Sequence, residues 1–331
     1  TLVDNGIEVK INIFEGQKFL IERINIVGNS VTNDSVIRSE LLVDEGDPYS
    51  ALLVNKSINR LKGRGIFSTV THEIIEGSLP DLKVLKISIE EKATGEIMAG
   101  AGVGTDGTAF MFALTENNWL GRGIKMVGGA DISKSKISGN LSVVNPNYNY
   151  TGNAVYSSLS ISSTDARDTS GYESSKTGFS FGTKFEQYEN VYLSPSIDMS
   201  YEDISADSTA TAAVKKMEGS FSNIDFGYGI SLDKRNQTFQ PTASYKTDFV
   251  QTLPLLQDSS SIMTGLSGSI YHAMSEDVIG SIKYYARSVY GVDGDVRLTN
   301  RLFLPSKRLR GFQASKIGPV DGNDFVGGNF A

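Results

Sequence analysis

The side chains best suited to chemistry in this 331-residue chain are scattered rather than gathered. Gly102, Gly104 and Gly107 have the G-x-G-x-x-G spacing that lets a backbone approach a pyrophosphate. That chemistry also needs a helix N-terminus directly afterwards. The next residues instead show the alternation Phe110, Phe112, Leu114, a strand pattern, so the glycines fit a β-turn better. His72 and His272 stand alone, without the short spacings that gather ligands round a metal. Asp321, Asn323 and Asp324 offer oxygen ligands, but an acidic loop is ordinarily just solvated. Cysteine is absent, which removes disulfides, thiolate ligands and thiol nucleophiles together. Nothing pairs a nucleophile with a base and an oxyanion donor. The sequence reads as a non-enzyme with no metal or cofactor. A net charge of −7 also argues against nucleic acid, whose binders carry a basic face.

The elements carry the information that the reactive residues do not. Residues 18–92 use both structural periods. Phe19, Ile21, Ile24 and Ile26 predict a strand ending at Gly28-Asn29. A short helix comes next, with Asn33 at its N-cap and Val36, Ile37 and Leu41 on one side. Ser50 caps a second helix whose Val54, Ile58 and Leu61 form a stripe at i, i+4, i+7, and which stops at Gly63 and Gly65. Strands are then predicted over 67–76 and 82–90. The order β-α-α-β-β is a compact α+β module of roughly 75 residues, near the lower size limit for folding alone. Upstream, Ile7, Val9, Ile11 and Ile13 alternate like the last strand of something earlier. The chain begins and ends in mid-pattern, and is read as a fragment truncated at both ends.

From Gly95 the helical period vanishes. Thr177, Phe179, Phe181, Thr183 and Phe185 point one way, against Lys176, Gly178, Ser180, Gly182, Lys184 and Glu186. The same alternation runs through 137–144, 191–202 and 282–287. Each strand approaches the 9–11 residues that tilt across a bilayer, although no apolar run is long enough for a spanning helix. A soluble sandwich also alternates. Two features favour a membrane barrel: the polar face is mostly Ser, Gly and Asn, as a wet lumen would be, and the connections are unequal. Short connections are expected near 117–123, 145–151, 187–190, 233–241 and 275–277, and long ones at 163–173, 203–216 and 291–327. About eleven strands and the start of a twelfth can be counted.

Short motifs add more. Leu309-Arg310-Gly311-Phe312 lies in the longest loop and is followed by Ile317-Gly318-Pro319 and Gly327-Gly328-Asn329. The first module carries Val27-Gly28-Asn29 and Leu61-x-x-x-Gly65-x-Phe67-x-x-Val70. Turns carry Asn117-Asn118-Trp119-Leu120-Gly121, Asn145-Pro146-Asn147-Tyr148, and Asp233-x-Arg235 followed by Phe239-x-Pro241-Thr242. On these residues the whole chain resembles the outer membrane protein assembly factors of the BamA type. The resemblance implies the end of a preceding POTRA domain at 1–15 and the last, periplasmic POTRA domain at 16–92. It further implies an incomplete antiparallel outer-membrane β-barrel at 93–331, of an expected sixteen strands, with its sixth extracellular loop at 291–327.

It implies a function as well: insertion and folding of β-barrel proteins into the bacterial outer membrane. The partners would be unfolded outer-membrane clients, accessory lipoproteins and outer-membrane lipid. In the family the Arg-Gly-Phe tip folds back into the lumen, so Arg310 would be buried and ion-paired; without its neighbours it would pass for a solvated loop arginine. Its acidic partners would lie on strands past residue 331. The tip is approached through Leu304-Pro305-Ser306-Lys307-Arg308, where relatives usually have a glycine pair. Glu40 sits where the family's last POTRA domain contacts an accessory lipoprotein, although a helix-surface glutamate is normally just solvated. Trp119, the only tryptophan, would anchor at the bilayer interface or pack against the POTRA domain. The first strand, with Gly95, Ile97, Gly100 and Gly102, is glycine-rich, so it would pair weakly with the barrel's last strand. That makes a lateral seam where client strands could add by β-augmentation. Rival readings are a secretion pore of the same superfamily (two-partner type), a passive porin or adhesin barrel, and a soluble β-rich binding protein.

Overall fold

The computed structural model describes residues 2–3, 6–7, 17–104, 107–237, 240–258, 260–304, 308–309, 312 and 316–331. The chain divides into two compact units, Thr1–Ala93 with Leu120–Arg122, and Thr94–Trp119 with Gly123–Ala331.

The first unit begins with a two-residue pair, β1 (Leu2–Val3) and β2 (Gly6–Ile7). The alternation expected through Val9, Ile11 and Ile13 lies outside the described residues. The module proper runs β3 (Leu20–Val27), α1 (Asp34–Arg38), α2 (Ala51–Gly63), β4 (Phe67–Glu76) and β5 (Leu82–Glu91). β5 is central in its three-stranded sheet, parallel to β3 and antiparallel to β4. Ser50 caps α2, its hydroxyl accepting from the Leu53 amide at 3.4 Å. The stripe Val54, Ile58, Leu61 is buried against Ile21, Ile24, Ile37, Leu85 and Ile87. Asn33 stands at the N-cap of α1 but makes no side-chain capping bond, and α1 ends before Leu41.

Two features fix the turn after β3. Gly28 has φ +97°, and a Cβ there would lie 1.9 Å from the Ile89 carbonyl oxygen, so Val27-Gly28-Asn29 needs its glycine on steric grounds. Glu91, at the end of β5, then gathers the turn. Its carboxylate accepts from the amides of Ser30 (3.0 Å), Val31 (2.9 Å) and Thr32 (2.6 Å), and from the Ser30 hydroxyl (2.7 Å). Burial pushes the Glu91 pKa up and is the largest single influence. The hydrogen bonds from Thr32, Ser30 and Val31 together outweigh it and hold the pKa at about 2. A carboxylate depressed in the folded state stabilises above its unfolded pKa, and the effect is lost as pH falls through the folded value. The first unit should therefore lose stability between pH 4.5 and about 2. Glu91→Ala should cost about 2–3 kcal/mol at neutral pH and flatten that acid response. Hydrogen exchange of 27–33 across the pH range checks both; an unchanged profile would remove Glu91 as the organiser of the turn.

The second unit is one antiparallel sheet of eleven strands, each paired with its sequence neighbour. The strands are β6 (Gly95–Gly104), β7 (Gly107–Trp119), β8 (Ile124–Ser133), β9 (Lys136–Asn145), β10 (Ala154–Ala166) and β11 (Tyr172–Tyr188). They continue as β12 (Val191–Ala206), β13 (Gly219–Asp233), β14 (Ala243–Gln257), β15 (Ser261–Ala273) and β16 (Ile279–Gly291). Short helices α3 (Arg167–Ser170) and α4 (Ala212–Lys215) and a small hairpin, β17 (Val320–Asp321) with β18 (Asp324–Phe325), lie in the connections. The sheet is open, with β6 and β16 as its outermost strands.

The register carries the alternation from strand to strand. Phe112 pairs with Ala130, Ala130 with Gly139, Gly139 with Ile161, and Ile161 with Thr177. One face is thus a continuous apolar surface in which Phe110, Ile132, Ile137, Leu159, Phe179 and Phe181 are exposed. The opposite face carries Ser160, Gly178, Ser200 and Asn223, and against it the loops pack. This sorting is what a lipid-facing wall with a wet interior requires.

Past β16 the chain returns to the sheet. Arg287 and Ala331 exchange backbone hydrogen bonds (2.7 and 3.0 Å), and Val289 donates to Asn329 (2.9 Å). This is the start of a twelfth strand. The expected loop at 163–173 is shorter than its composition suggested, because Ser162–Ala166 pair in register with Tyr172–Lys176. Beyond the bilayer both faces of a hairpin can be polar, so polarity there does not mark a loop. The contrast between short and long connections therefore rests on 207–218 and the stretch after Gly291.

Candidate functional site

The sequence singled out one edge of the sheet. β6 pairs with β7 from Gly95↔Glu116 to Gly104↔Gly107, and among the described residues its other side has no strand. Gly100 and Gly102 are not imposed by crowding within the described residues. A Cβ at Gly102 would meet nothing within 4 Å, and one at Gly100 only the Met111 methyl at 3.7 Å. Ile97 and Val103 are 69% and 85% exposed. An edge strand presents unpaired amides and carbonyls, and interior glycine weakens whatever pairing it makes. Among the described residues β6 is thus an edge strand held on one side only, by β7.

The second feature is the long loop after Gly291. Its root forms a short 3₁₀ turn, Leu298–Asn300, and its arm is closed by a bridge in which Leu302 and Gly328 exchange hydrogen bonds of 2.7 and 2.9 Å. Leu298 packs with Ala210, Val214 and Val326 in a small core that joins this loop to α4 and to the end of the β17–β18 hairpin. Farther along, the Arg308 guanidinium lies 4.0 Å over the ring of Tyr285. Tyr285 pairs with Ser267 and shares the polar face of the sheet. Of the tip motif, Leu309 and Phe312 are described, 39% and 56% exposed. Arg310 and Gly311 lie outside the described residues, as do Pro305, Ser306 and Lys307 of the approach.

Glu40 does not lie on a solvated helix surface. It comes just after the end of α1 and is buried, with Arg60 Nε at 3.2 Å and Arg64 Nη1 at 3.7 Å from its carboxylate. Arg60 remains 43% exposed, so the charge that reaches solvent here is the arginine's. Trp119 closes β7 and is 40% exposed. His72 pairs across the sheet with Ile87, and His272 with Gly280 on one side and Ala243 on the other. Among the described residues no group of histidines and carboxylates is placed to hold a metal ion. Asp324 accepts from the Thr211 amide at 3.1 Å, so it fastens the hairpin to the segment before α4. Of the turn motifs, Asp233 and Arg235 form a two-pronged pair (2.8 and 2.7 Å), and Asn236 accepts from the amides of Thr242 and Ala243. Phe239 lies outside the described residues.

A model of the Omp85 superfamily domain matches residues 118–331, more than half of the chain and all but the first strands of the sheet. The chain belongs to the Omp85 superfamily. The POTRA model, described as a surface antigen variable number repeat, matches residues 19–92 of this Omp85 protein. Among curated relatives, the outer membrane protein assembly factor BamA of Neorickettsia risticii is 25% identical over 339 residues. That match covers 98% of this chain and 45% of the relative. BamA of Neisseria meningitidis serogroup B is 29% identical over 148 residues, 44% of this chain and 19% of that one. The chain thus spans less than half the length of these relatives. Among solved structures, BamA from Haemophilus ducreyi lacking POTRA domains 1–3 matches with a TM-score of 0.78 at 21% identity, over 95% of this chain and 66% of that one. CdiB from Acinetobacter baumannii matches with 0.54 at 11% identity, over 89% and 57%. The sheet therefore has the Omp85 barrel fold, left open here. The protein is an outer-membrane protein with its POTRA module on the periplasmic side.

Two residues important to this Omp85 chain escaped the sequence reading. Glu91 meets its turn across some sixty positions of sequence. Arg297 meets Glu202 and Asn223 on the barrel wall across 95 and 74 positions. A buried arginine leaves no local trace; the only available hint is an arginine set among apolar neighbours, Val296 and Leu298.

Proposed function

We propose that this chain is the membrane-proximal part of a factor that folds and inserts β-barrel proteins into the outer membrane, adding client strands at the β6 edge. The observation that carries the reading is a long barrel-type sheet, preceded by a POTRA module, whose first strand carries glycines at 100 and 102 without steric need. Strand addition reads backbone groups, so one edge can accept many client sequences. The tip at 309–312 belongs on the luminal side in this reading. The stacking of Arg308 on Tyr285 supports it, since that ring is on the polar face and six residues down from the end of β16, roughly 20 Å. A guanidinium at position 310 would there hold an acidic group with a planar pair. Residues 1–15 are the end of a preceding POTRA domain and 16–92 the last one, and Trp119 sits at the bilayer interface.

Accessory lipoproteins dock on the POTRA surface around Glu40, Arg60 and Arg64. Glu40 acts there through the arginines that it holds in place. Glu40→Gln should cost about 1–2 kcal/mol in the first unit, less than a fully buried pair because Arg60 is half in water, and should reduce co-purification of the accessory subunits at least fivefold. Undiminished co-purification would sink the docking assignment.

The function itself is tested by reconstitution. The full-length protein in liposomes, with its accessory subunits, should convert an unfolded barrel client to a protease-resistant, heat-modifiable form. Conversion no faster than in empty liposomes would refute the proposal.

A further inference from the structure

The least expected charge in the barrel is at the root of the long loop, away from its tip motif. Arg297 is 3% exposed and rests on the polar face of β12 and β13. Its guanidinium lies 3.5 Å from the Glu202 carboxylate, donates to the Asn223 side-chain oxygen at 2.9 Å, and covers the Phe221 ring at 4.2 Å. Glu202, 2% exposed, also accepts from the Thr299 hydroxyl at 3.0 Å, and Asn223 donates to Ser200 at 3.3 Å. Arg297 and Thr299 belong to the loop; Glu202, Asn223, Phe221 and Ser200 belong to the wall. An ionised group stripped of water needs a partner of opposite sign; Glu202 is the carboxylate in contact with Arg297, and Asp225 and Asp258 add to the negative field around it. The root can therefore leave the wall only by separating a dry ion pair. The 3₁₀ turn built on Arg297 leads directly to Leu302, where the bridge to Gly328 closes the arm.

We propose that Arg297 is a lock at the root of the loop, separate from the tip motif, that fixes the base of the arm 303–327 to β12 and β13 and so positions the tip. Arg297 is a positioning residue: it acts through the loop that it holds. The pair stands directly between two bodies, loop and wall, and separates them into locked and lifted states.

This sequence lacks cysteine, so a single reporter thiol can be introduced. Val296→Cys places it beside the lock at a site 4% exposed, in the full-length protein freed of any other cysteine. In that background Arg297→Ala should raise the rate of maleimide labelling at least tenfold, while the barrel keeps its heat-modifiable, folded mobility. Arg297→Lys, which keeps a cation facing Glu202, Asp225 and Asp258, should hold the rate within about threefold of the parent. Should Arg297→Ala fail to fold, Asn223→Ala and Thr299→Val each remove one bond from the lock and should raise labelling about threefold. Labelling unchanged in the variants that remove a bond would overturn the proposal, as would labelling of Arg297→Lys as fast as that of Arg297→Ala. Client insertion, measured in parallel, reports separately on the assembly function: fast labelling with normal insertion leaves the lock standing and removes the loop from the insertion step.

Discussion

Replacing Gly28 with valine should unfold the POTRA module while leaving the barrel sheet intact. Two independent penalties meet at this position. The backbone is at φ +97°, where any side chain is strained, and the new Cβ would sit 1.9 Å from the Ile89 carbonyl oxygen. That oxygen belongs to the central strand of the sheet, so it cannot swing aside like the end of a long side chain. Gly46 is the control, because it has φ +93° with nothing within 4 Å of the place a Cβ would occupy. Gly46→Ala should cost only the conformational part, about 1–2 kcal/mol. Gly28→Val should cost about 4 kcal/mol or more, a large share of the stability of a small domain. Hydrogen exchange of β3 and β5 in the full-length protein should speed up by more than a hundredfold for Gly28→Val, and about tenfold for Gly46→Ala. Equal effects at the two positions would show that the contact with Ile89 is not the reason for the glycine.

The second large effect is expected at the barrel edge. Gly100 and Gly102 can take side chains without a clash in the described sheet, and a β-branched residue favours extended pairing by up to about 1 kcal/mol each. Gly100→Val with Gly102→Val should therefore strengthen β6 pairing by about 1–2 kcal/mol. If client strands enter at this edge, insertion slows by about five- to thirtyfold while the protein itself becomes more stable. A cysteine in β6 joined to one in the barrel's last strand takes the same logic to its limit. Insertion should fall at least a hundredfold when the disulfide is closed and return on reduction. Full insertion through a stapled seam would end the strand-addition mechanism, though not the assembly function measured by reconstitution. Slower insertion with greater stability is the informative combination, because a merely damaged protein loses both.

How much of this was legible in the sequence depended on how local each cause is. The alternation of Phe179 and Phe181 with Ser180 and Gly182 is set by the pleat, which every strand carries in itself, so the eleven strands and their faces could be read directly. The stripe Val54, Ile58, Leu61 was readable for the same reason. Strand ends were not: Ser163, Thr164 and Asp165 are polar, yet their backbone groups are satisfied by Ser175, Ser174 and Glu173 across the hairpin. Glu40 looked solvated because a glutamate on a helix surface ordinarily is; its carboxylate instead meets Arg60 and Arg64, at the C-terminal end of α2. Arg297 lay deeper still, since its partners are fixed only when β12 and β13 are already paired. Periodicity reports what a residue does to its own segment, and long-range ion pairs have no period.

The overhang of the β10–β11 hairpin has a consequence for anything that meets the cell from outside. β11 is 17 residues long, and its first five, Tyr172–Lys176, stay paired with Ser162–Ala166 well past the apolar band. Roughly 15 Å of stiff, hydrogen-bonded rim rises there, packed on its inner side through Tyr172 against Val214 and Leu298 and exposed on its outer side. An antibody or phage that grips this rim contacts residues from two strands in a fixed spatial order, so its epitope is conformational. Such a binder distinguishes a correctly folded molecule on an intact cell from denatured protein, which makes the rim a natural handle for reporting whether this barrel has itself been assembled.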